Sequence, residues 1–217
     1  MKQALDIQSL SLEAGRFTEM ESSRPEPALF GVTDGKAIGT YVEHRFRDHL
    51  DERYIYEKGS SASGIDFPLL NVDMKVTRVT QPQSSCPFKS ARQKVYGLGY
   101  SLLVFVYEKT DDTVTQTGKL DFLYTVFVDE SRTADYQTTT GILSIIENDG
   151  NTDDLMAFMQ DRSLPVDDIQ ALQLAHELLA NPPRVGYLTI SNALQWRLQY
   201  QRILSQAGQV EGIQRIR

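Results

Sequence analysis

The chain has 217 residues, 41% of them apolar, with 22 Lys plus Arg against 29 Asp plus Glu and a formal net charge of −7. A chain of this length buries enough surface for a core without staples, and its single cysteine, Cys86, excludes an intramolecular disulfide. The longest apolar run, Leu102 to Tyr107, falls far short of the roughly 20 residues of a membrane helix, and Met1 to Gln8 lacks the apolar stretch of a secretory signal. One soluble, cytoplasmic domain over residues 1–217 is expected.

The N-terminal residues give no clear pattern. Lys36 to Leu50 then places Ile38, Tyr41, Val42, Phe46 and Leu50 at helical spacing, behind the turn Asp34-Gly35. Gly64 to Val79 alternates and reads as a hairpin. Ser84-Ser85-Cys86-Pro87 looks like an N-cap with proline in the first turn, which predicts a helix through Phe88, Ala91, Val95 and Leu98 that Gly97 and Gly99 terminate. Tyr100 to Glu108 and Lys119 to Asp129 are β-rich runs around Asp111-Asp112 and should be central strands. Beyond them, helices are expected at about 134–148, 152–160, 165–180 and 192–206, with an extended piece at Val185 to Ile190. The order implies an α/β fold: a central mixed β-sheet flanked by helices, a core at about 36–130 and a helical C-terminal part at about 131–217.

Charge is unevenly distributed along the chain. Residues 1–73 sum to −5 and 108–183 to −11, whereas 74–107 carry Lys75, Arg78, Lys89, Arg92 and Lys94 with no acid (+5) and 184–217 sum to +4. Such segregation suits a protein that presents basic segments to a polyanion and keeps an acidic remainder for solubility.

The segment Gly64-Ile65-Asp66-Phe67-Pro68-Leu69-Leu70-Asn71-Val72-Asp73-Met74-Lys75-Val76 is the most informative. With a period of two, Asp73 and Lys75 project from one face and Val72, Met74 and Val76 from the other. If the chain turns at Leu69-Leu70, paired positions sum to 139, and Asp66 faces Asp73. Like charges across a hairpin are destabilising and call for a cation. A hard divalent ion with oxygen ligands, Mg²⁺ by default, meets that need. Lys75 beside it can polarise a water and offset phosphoryl charge.

Asp66 followed by Asp73-Met74-Lys75 on an apolar strand, then a helix and two strands, resembles the PD-(D/E)XK nuclease superfamily, type II restriction endonucleases in particular, over about residues 36–130. The resemblance implies Mg²⁺-dependent hydrolysis of double-stranded DNA by a homodimer, with a DNA methyltransferase as partner in the same system. It implies Asp66 and Asp73 as the metal acids and Lys75 as the motif lysine. Glu43 is the candidate for a glutamate contributed by the preceding helix, and Gln93 or Lys89 for a polar residue from the following one. Ile65 stands where the motif has proline, and the six residues between the acids are at the short end for the family.

An acid-x-lysine triplet is expected about once by chance in this composition, so context carries the signal. Asp34-Gly35-Lys36 is a second such triplet, at a glycine turn, and reads as helix initiation. His44, His49, His176 and Cys86 lack zinc spacing, and Gly97-Leu98-Gly99 is too short for a dinucleotide fingerprint. Arg78, Gln81, Gln83, Ser84, Lys89, Arg92 and Gln93 are the candidate DNA contacts. A polar stripe of Gln195, Gln199, Arg202 and Gln206 on the expected last helix reads first as a solvated face. A site-specific endonuclease is the leading expectation. A structure-specific repair nuclease and a non-catalytic DNA-binding protein are the alternatives, separated from it by metal-dependent plasmid cleavage and its band pattern.

Overall fold

The computed structural model describes residues 2–59, 64–87, 89–191 and 196–217. They gather into two compact units: Met1–Ser84 with Ser101–Val128 and Leu204–Arg217, and Ser85–Tyr100 with Asp129–Ile203. In chain order the helices are α1 (Ile7–Ser22), α2 (Gly35–Asp51), α3 (Arg92–Tyr96), α4 (Tyr136–Glu147), α5 (Thr152–Asp161), α6 (Asp168–Ala180) and α7 (Gln201–Gln206). The strands are β1 (Gln3–Ala4), β2 (Pro25–Glu26), β3 (Tyr54–Ile55), β4 (Val72–Arg78), β5 (Gln83–Cys86), β6 (Ser101–Asp112), β7 (Thr117–Val128), β8 (Thr189–Ile190), β9 (Trp196–Gln199) and β10 (Ile213–Arg215).

The first unit is built on a mixed sheet in the order β10-β7-β6-β4, with β2 also paired to β7. β4 runs parallel to β6, and β6 and β7 form a long antiparallel pair. This is the expected mixed α/β architecture. Asp112 closes the turn between β6 and β7 by accepting the Val114 amide at 2.8 Å. Helices α1 and α2 lay Leu10, Ala14 and Phe17, and Ile38, Val42, Phe46 and Leu50, into one core with Val72, Met74, Phe105 and Phe122 of the sheet. The rings of Phe17, Phe46, Phe105 and Phe122 meet at centroid distances of 5.1 to 6.1 Å, mostly tilted or edge-on, as aromatic quadrupoles favour.

Both helices have their starts written locally. Asp6 accepts the Ser9 amide at 2.7 Å in a capping box ahead of α1. Asp34 accepts the Lys36 and Ala37 amides ahead of α2, so the Asp34-Gly35-Lys36 triplet is a helix start, as its glycine turn suggested.

The second unit packs α4, α5 and α6 around Ile142, Leu155, Met159, Leu174 and Leu178, with Ala91 and Val95 in the same core. Two expectations fail here. Ser84 and Cys86 lie in β5, and the helix after them is only α3, with Ser90 Oγ accepting the Arg92 amide at its start. Gly97 ends α3 at φ +97, where an added Cβ would lie 2.8 Å from the Glu130 carbonyl oxygen, so a residue with a side chain is excluded twice over. The expected helix at 192–206 is likewise replaced in part by β9, in which Trp196 and Leu198 are buried and Arg197 and Gln199 exposed. That alternation has period two, and it breaks the polar stripe drawn at helical spacing through Gln199 and Arg202. Phe88, Leu194 and Gln195 lie outside the described residues. No described helix is long and apolar enough to cross a membrane.

Candidate active site

The hairpin forms in the expected register. Phe67 and Val72 exchange both backbone hydrogen bonds, at 3.0 and 3.2 Å, so paired positions sum to 139. Its first arm is a single bridge and not a full strand. The reversal runs through a 3₁₀ turn at Pro68–Leu70 and ends with Asn71 at φ +53. Asparagine tolerates that left-handed backbone because its short polar side chain can bond locally. Leu69 stays 75% exposed at the tip, so the poor turn propensity of Leu-Leu is met by putting proline and asparagine at the two ends of the reversal.

Asp66 and Asp73 are brought together by this register. Asp66 Oδ2 accepts the Met74 amide at 2.8 Å, which fixes the carboxylate against β4. Asp73 is 4% exposed, and its Oδ2 lies 2.6 Å from Lys75 Nζ. Burial pushes the Asp73 carboxyl up to about 6; the Lys75 ammonium pulls it back, and a hydrogen bond with Asp66 adds to the rise. The two carboxyl groups are therefore within hydrogen-bonding reach of each other, with one ammonium beside Asp73.

Glu43, half-buried on α2, is linked to this pair through Arg47, a residue that the sequence alone does not single out. Arg47 Nη2 lies 2.8 Å from Glu43 Oε1 and 2.9 Å from Asp66 Oδ1. The chain of contacts thus runs Glu43, Arg47, Asp66, Asp73, Lys75, all within the first unit. The signal for Arg47 is its i, i+4 spacing from Glu43, which puts the two on one helix face. What spacing cannot give is that the face turns toward the hairpin.

The candidate DNA contacts are dispersed among other tasks. Arg78 Nη2 donates to the Thr33 carbonyl at 2.8 Å and its Nε to Tyr107 Oη at 3.4 Å. Gln81 and Gln83, the latter opening β5, fold over Thr77, whose hydroxyl donates to both their carbonyls and accepts the Gln83 amide. Ser84 lies in β5. In the second unit Gln93 is buried and its Oε1 accepts the Lys89 amide at 3.1 Å, while the Arg92 guanidinium is engaged by both carboxylate oxygens of Glu177.

Among the described residues no three Asp, Glu, His or Cys side chains converge closely enough to hold an ion between them. Asp66 and Asp73 remain as a pair of oxygen donors. That set fits Mg²⁺, which keeps several waters and binds through one or two carboxylates plus substrate phosphate, and it does not fit a structural zinc cage.

A family model for the type II restriction enzyme NspV matches residues 4–215. The chain is 60% identical over 209 residues to the type II restriction enzyme NspV of Nostoc sp., covering 96% of this chain and 95% of the relative. No solved structure matches the chain. The matched span takes in both compact units as well as the Asp66–Lys75 hairpin, and the chain belongs to the NspV family of type II restriction enzymes, which are site-specific deoxyribonucleases.

Proposed function

We propose that the chain hydrolyses phosphodiester bonds of double-stranded DNA at a specific sequence, with Mg²⁺, through a PD-(D/E)XK-type site made of Asp66, Asp73 and Lys75. The observation that carries this reading is the convergence of two carboxyl groups and one ammonium on a hairpin whose register allows it. The raised affinity of Asp73 for a proton marks a site short of positive charge.

The bound ion supplies Lewis-acid stabilisation of charge developing on the phosphoryl oxygens. Asp66 and Asp73 hold that ion, Asp66 oriented by the Met74 amide and Asp73 by Lys75. Lys75, 2.6 Å from Asp73 Oδ2, orients the attacking water and offsets charge on the phosphate. The water oxygen bonds to phosphorus as the bond from phosphorus to the leaving oxygen breaks. The proton lost by the water passes to solvent, and the leaving oxygen takes one from solvent. Glu43 takes part through Arg47.

The basic segments around Arg78, Gln81, Gln83, Ser84, Lys89, Arg92 and Gln93 supply contacts to phosphates and base edges. One such site cuts one strand, so two subunits of a homodimer cut both. The enzyme works in the cytoplasm beside a methyltransferase that protects the host's own sites.

Digestion of a sequenced phage genome tests the reading. Discrete fragments with Mg²⁺, and none with chelator or with Lys75→Ala, are expected. Cleavage in excess chelator would refute the metal, and a smear in place of fragments would refute site recognition.

A further inference from the structure

The Asp66 carboxylate is held from two sides. Oδ2 accepts the Met74 amide, a backbone contact that survives any change in the surrounding side chains. Oδ1 accepts Arg47 Nη2 at 2.9 Å, and the same nitrogen lies 2.8 Å from Glu43 Oε1. A single guanidinium nitrogen therefore stands between carboxylates from two different elements, as a small cation would. Its own environment is poor for an arginine. The side chain is 19% exposed, and its buried Nε makes no hydrogen bond among the described residues. A buried unsatisfied donor costs stability, and the two ion pairs to Glu43 and Asp66 hold the arginine there against that cost.

We propose that Arg47 is a positioning residue that serves as the internal counter-ion of the metal site: it sets one positive charge between Glu43 and Asp66 in the metal-free protein, and a divalent ion drawing on Asp66 must displace it. The proposal rests on the reading of Asp66 and Asp73 as the metal acids. Its physical basis is that two cations compete for one carboxylate oxygen and repel each other across a few ångströms. The ion is consequently held weakly until substrate phosphates add negative charge and further oxygen ligands. Metal loading and DNA loading are thereby coupled, and Arg47 sets the strength of the coupling.

Mn²⁺ binding to the full chain without DNA, read from the electron paramagnetic resonance of the free ion, tests this. Arg47→Met keeps an aliphatic stem and removes the charge, and it should bind Mn²⁺ about tenfold more tightly than the unaltered chain. Arg47→Lys, which keeps the charge, should bind with nearly unaltered affinity. Damage to the site would loosen the ion and never tighten it. Unchanged or weaker binding by an Arg47→Met protein that still melts cooperatively overturns the proposal.

Asp73→Asn separates this inference from the reading beneath it. If that variant binds Mn²⁺ as tightly as the unaltered chain, these acids are not the metal site and both fail. If it loses the ion while Arg47→Met gains nothing, only the counter-ion role fails. Should Arg47→Met not fold, the unaltered chain decides. The Arg47 Nε–H signal in nitrogen-resolved magnetic resonance, assigned by its absence from Arg47→Lys, should move with Mg²⁺ concentration, and a signal that stays fixed refutes displacement.

Discussion

Glu13 on α1 and Asp73 on β4 are carboxylates of the same unit taken almost wholly out of water, at 0% and 4% exposed, and their surroundings treat them in opposite ways. Glu13 receives Arg16 Nη1 at 2.8 Å and Tyr54 Oη at 3.3 Å, lies 2.8 Å from His49 Nε2, and has Arg53 at 3.5 Å. Burial pushes the Glu13 carboxyl up, but its contacts with His49 and Arg16 outweigh this and hold it below its ordinary range. Asp73 has one ammonium and a second carboxyl for neighbours, and burial wins. A carboxylate whose partners outweigh its burial is held as structure, whereas one whose burial outweighs its partners is a candidate functional group.

The comparison breaks most visibly in activity. Asp73→Ala or Lys75→Ala should lower DNA cleavage by on the order of 10³-fold, the scale of losing a principal electrostatic group at the reacting centre. Circular dichroism should show the fold retained, and a plasmid assay measures the loss. Retained cleavage by either variant would falsify the assignment.

Glu13→Gln should do the reverse. Replacing one carboxylate oxygen by an amide NH₂ sets a donor against either the half-buried His49 ring or the Tyr54 hydroxyl and removes the charge facing Arg16, at a cost of about 1–3 kcal/mol in denaturant unfolding. Cleavage at a permissive temperature should hardly change, and a large loss of rate without a loss of stability would place Glu13 at the site after all.

Asp73 in the folded protein titrates near 6, above the 3.8 of an ordinary aspartate, so between those values the folded state keeps a proton that the unfolded state has lost. Stability of the metal-free protein therefore falls as pH rises from about 4 to about 6 and is level beyond. Asp73→Asn should remove this loss and stabilise the metal-free protein by about 1–3 kcal/mol above pH 6, with little difference below pH 4. Melting curves across that range decide it, and a variant less stable than its parent at pH 7 would contradict the raised titration.

The smallest effect is on DNA affinity. Neutralising any one of Arg78, Lys89 and Arg92 that binds a phosphate should lower the slope of log affinity against log salt by about 0.9. Neutralising Asp153 and Asp154 should leave the slope alone. Arg92 enters this comparison already engaged by Glu177, so its contribution should be the least of the three. Equal responses to the basic and acidic substitutions would overturn the charge-segregation argument.

Much of this is legible in local sequence because local physics decides it. The start of α2 at Asp34, the alternation of Val72, Asp73, Met74 and Lys75, and the pairing sum of 139 all depend on contacts within a few residues. The opening helix α1 is hidden although its Asp6 and Ser9 form a capping box, because its buried face mixes Ser11, Glu13 and Thr18 with Leu10, Ala14 and Phe17 and so blurs the apolar period. The segments 84–98 and 192–206 mislead for a different reason. A serine before a proline and a spaced set of leucines permit a helix, but burial of Trp196 and Leu198 on alternate positions selects a strand.

Residue types and spacing by themselves placed two acids and a lysine on one hairpin, with a basic stretch downstream and an acidic remainder. Only the tertiary structure decided how charged those groups are and what stands between them. Nothing in the sequence says that Asp73 is buried enough to hold a proton near pH 6, that Glu13 is buried with four partners, or that Arg47 crosses from α2 to Asp66. Spacing along a strand or helix fixes direction over a few ångströms. Desolvation and ion pairing depend on which distant segments close over a group, and in this fold α1 and α2 are brought to the sheet from far apart in the chain.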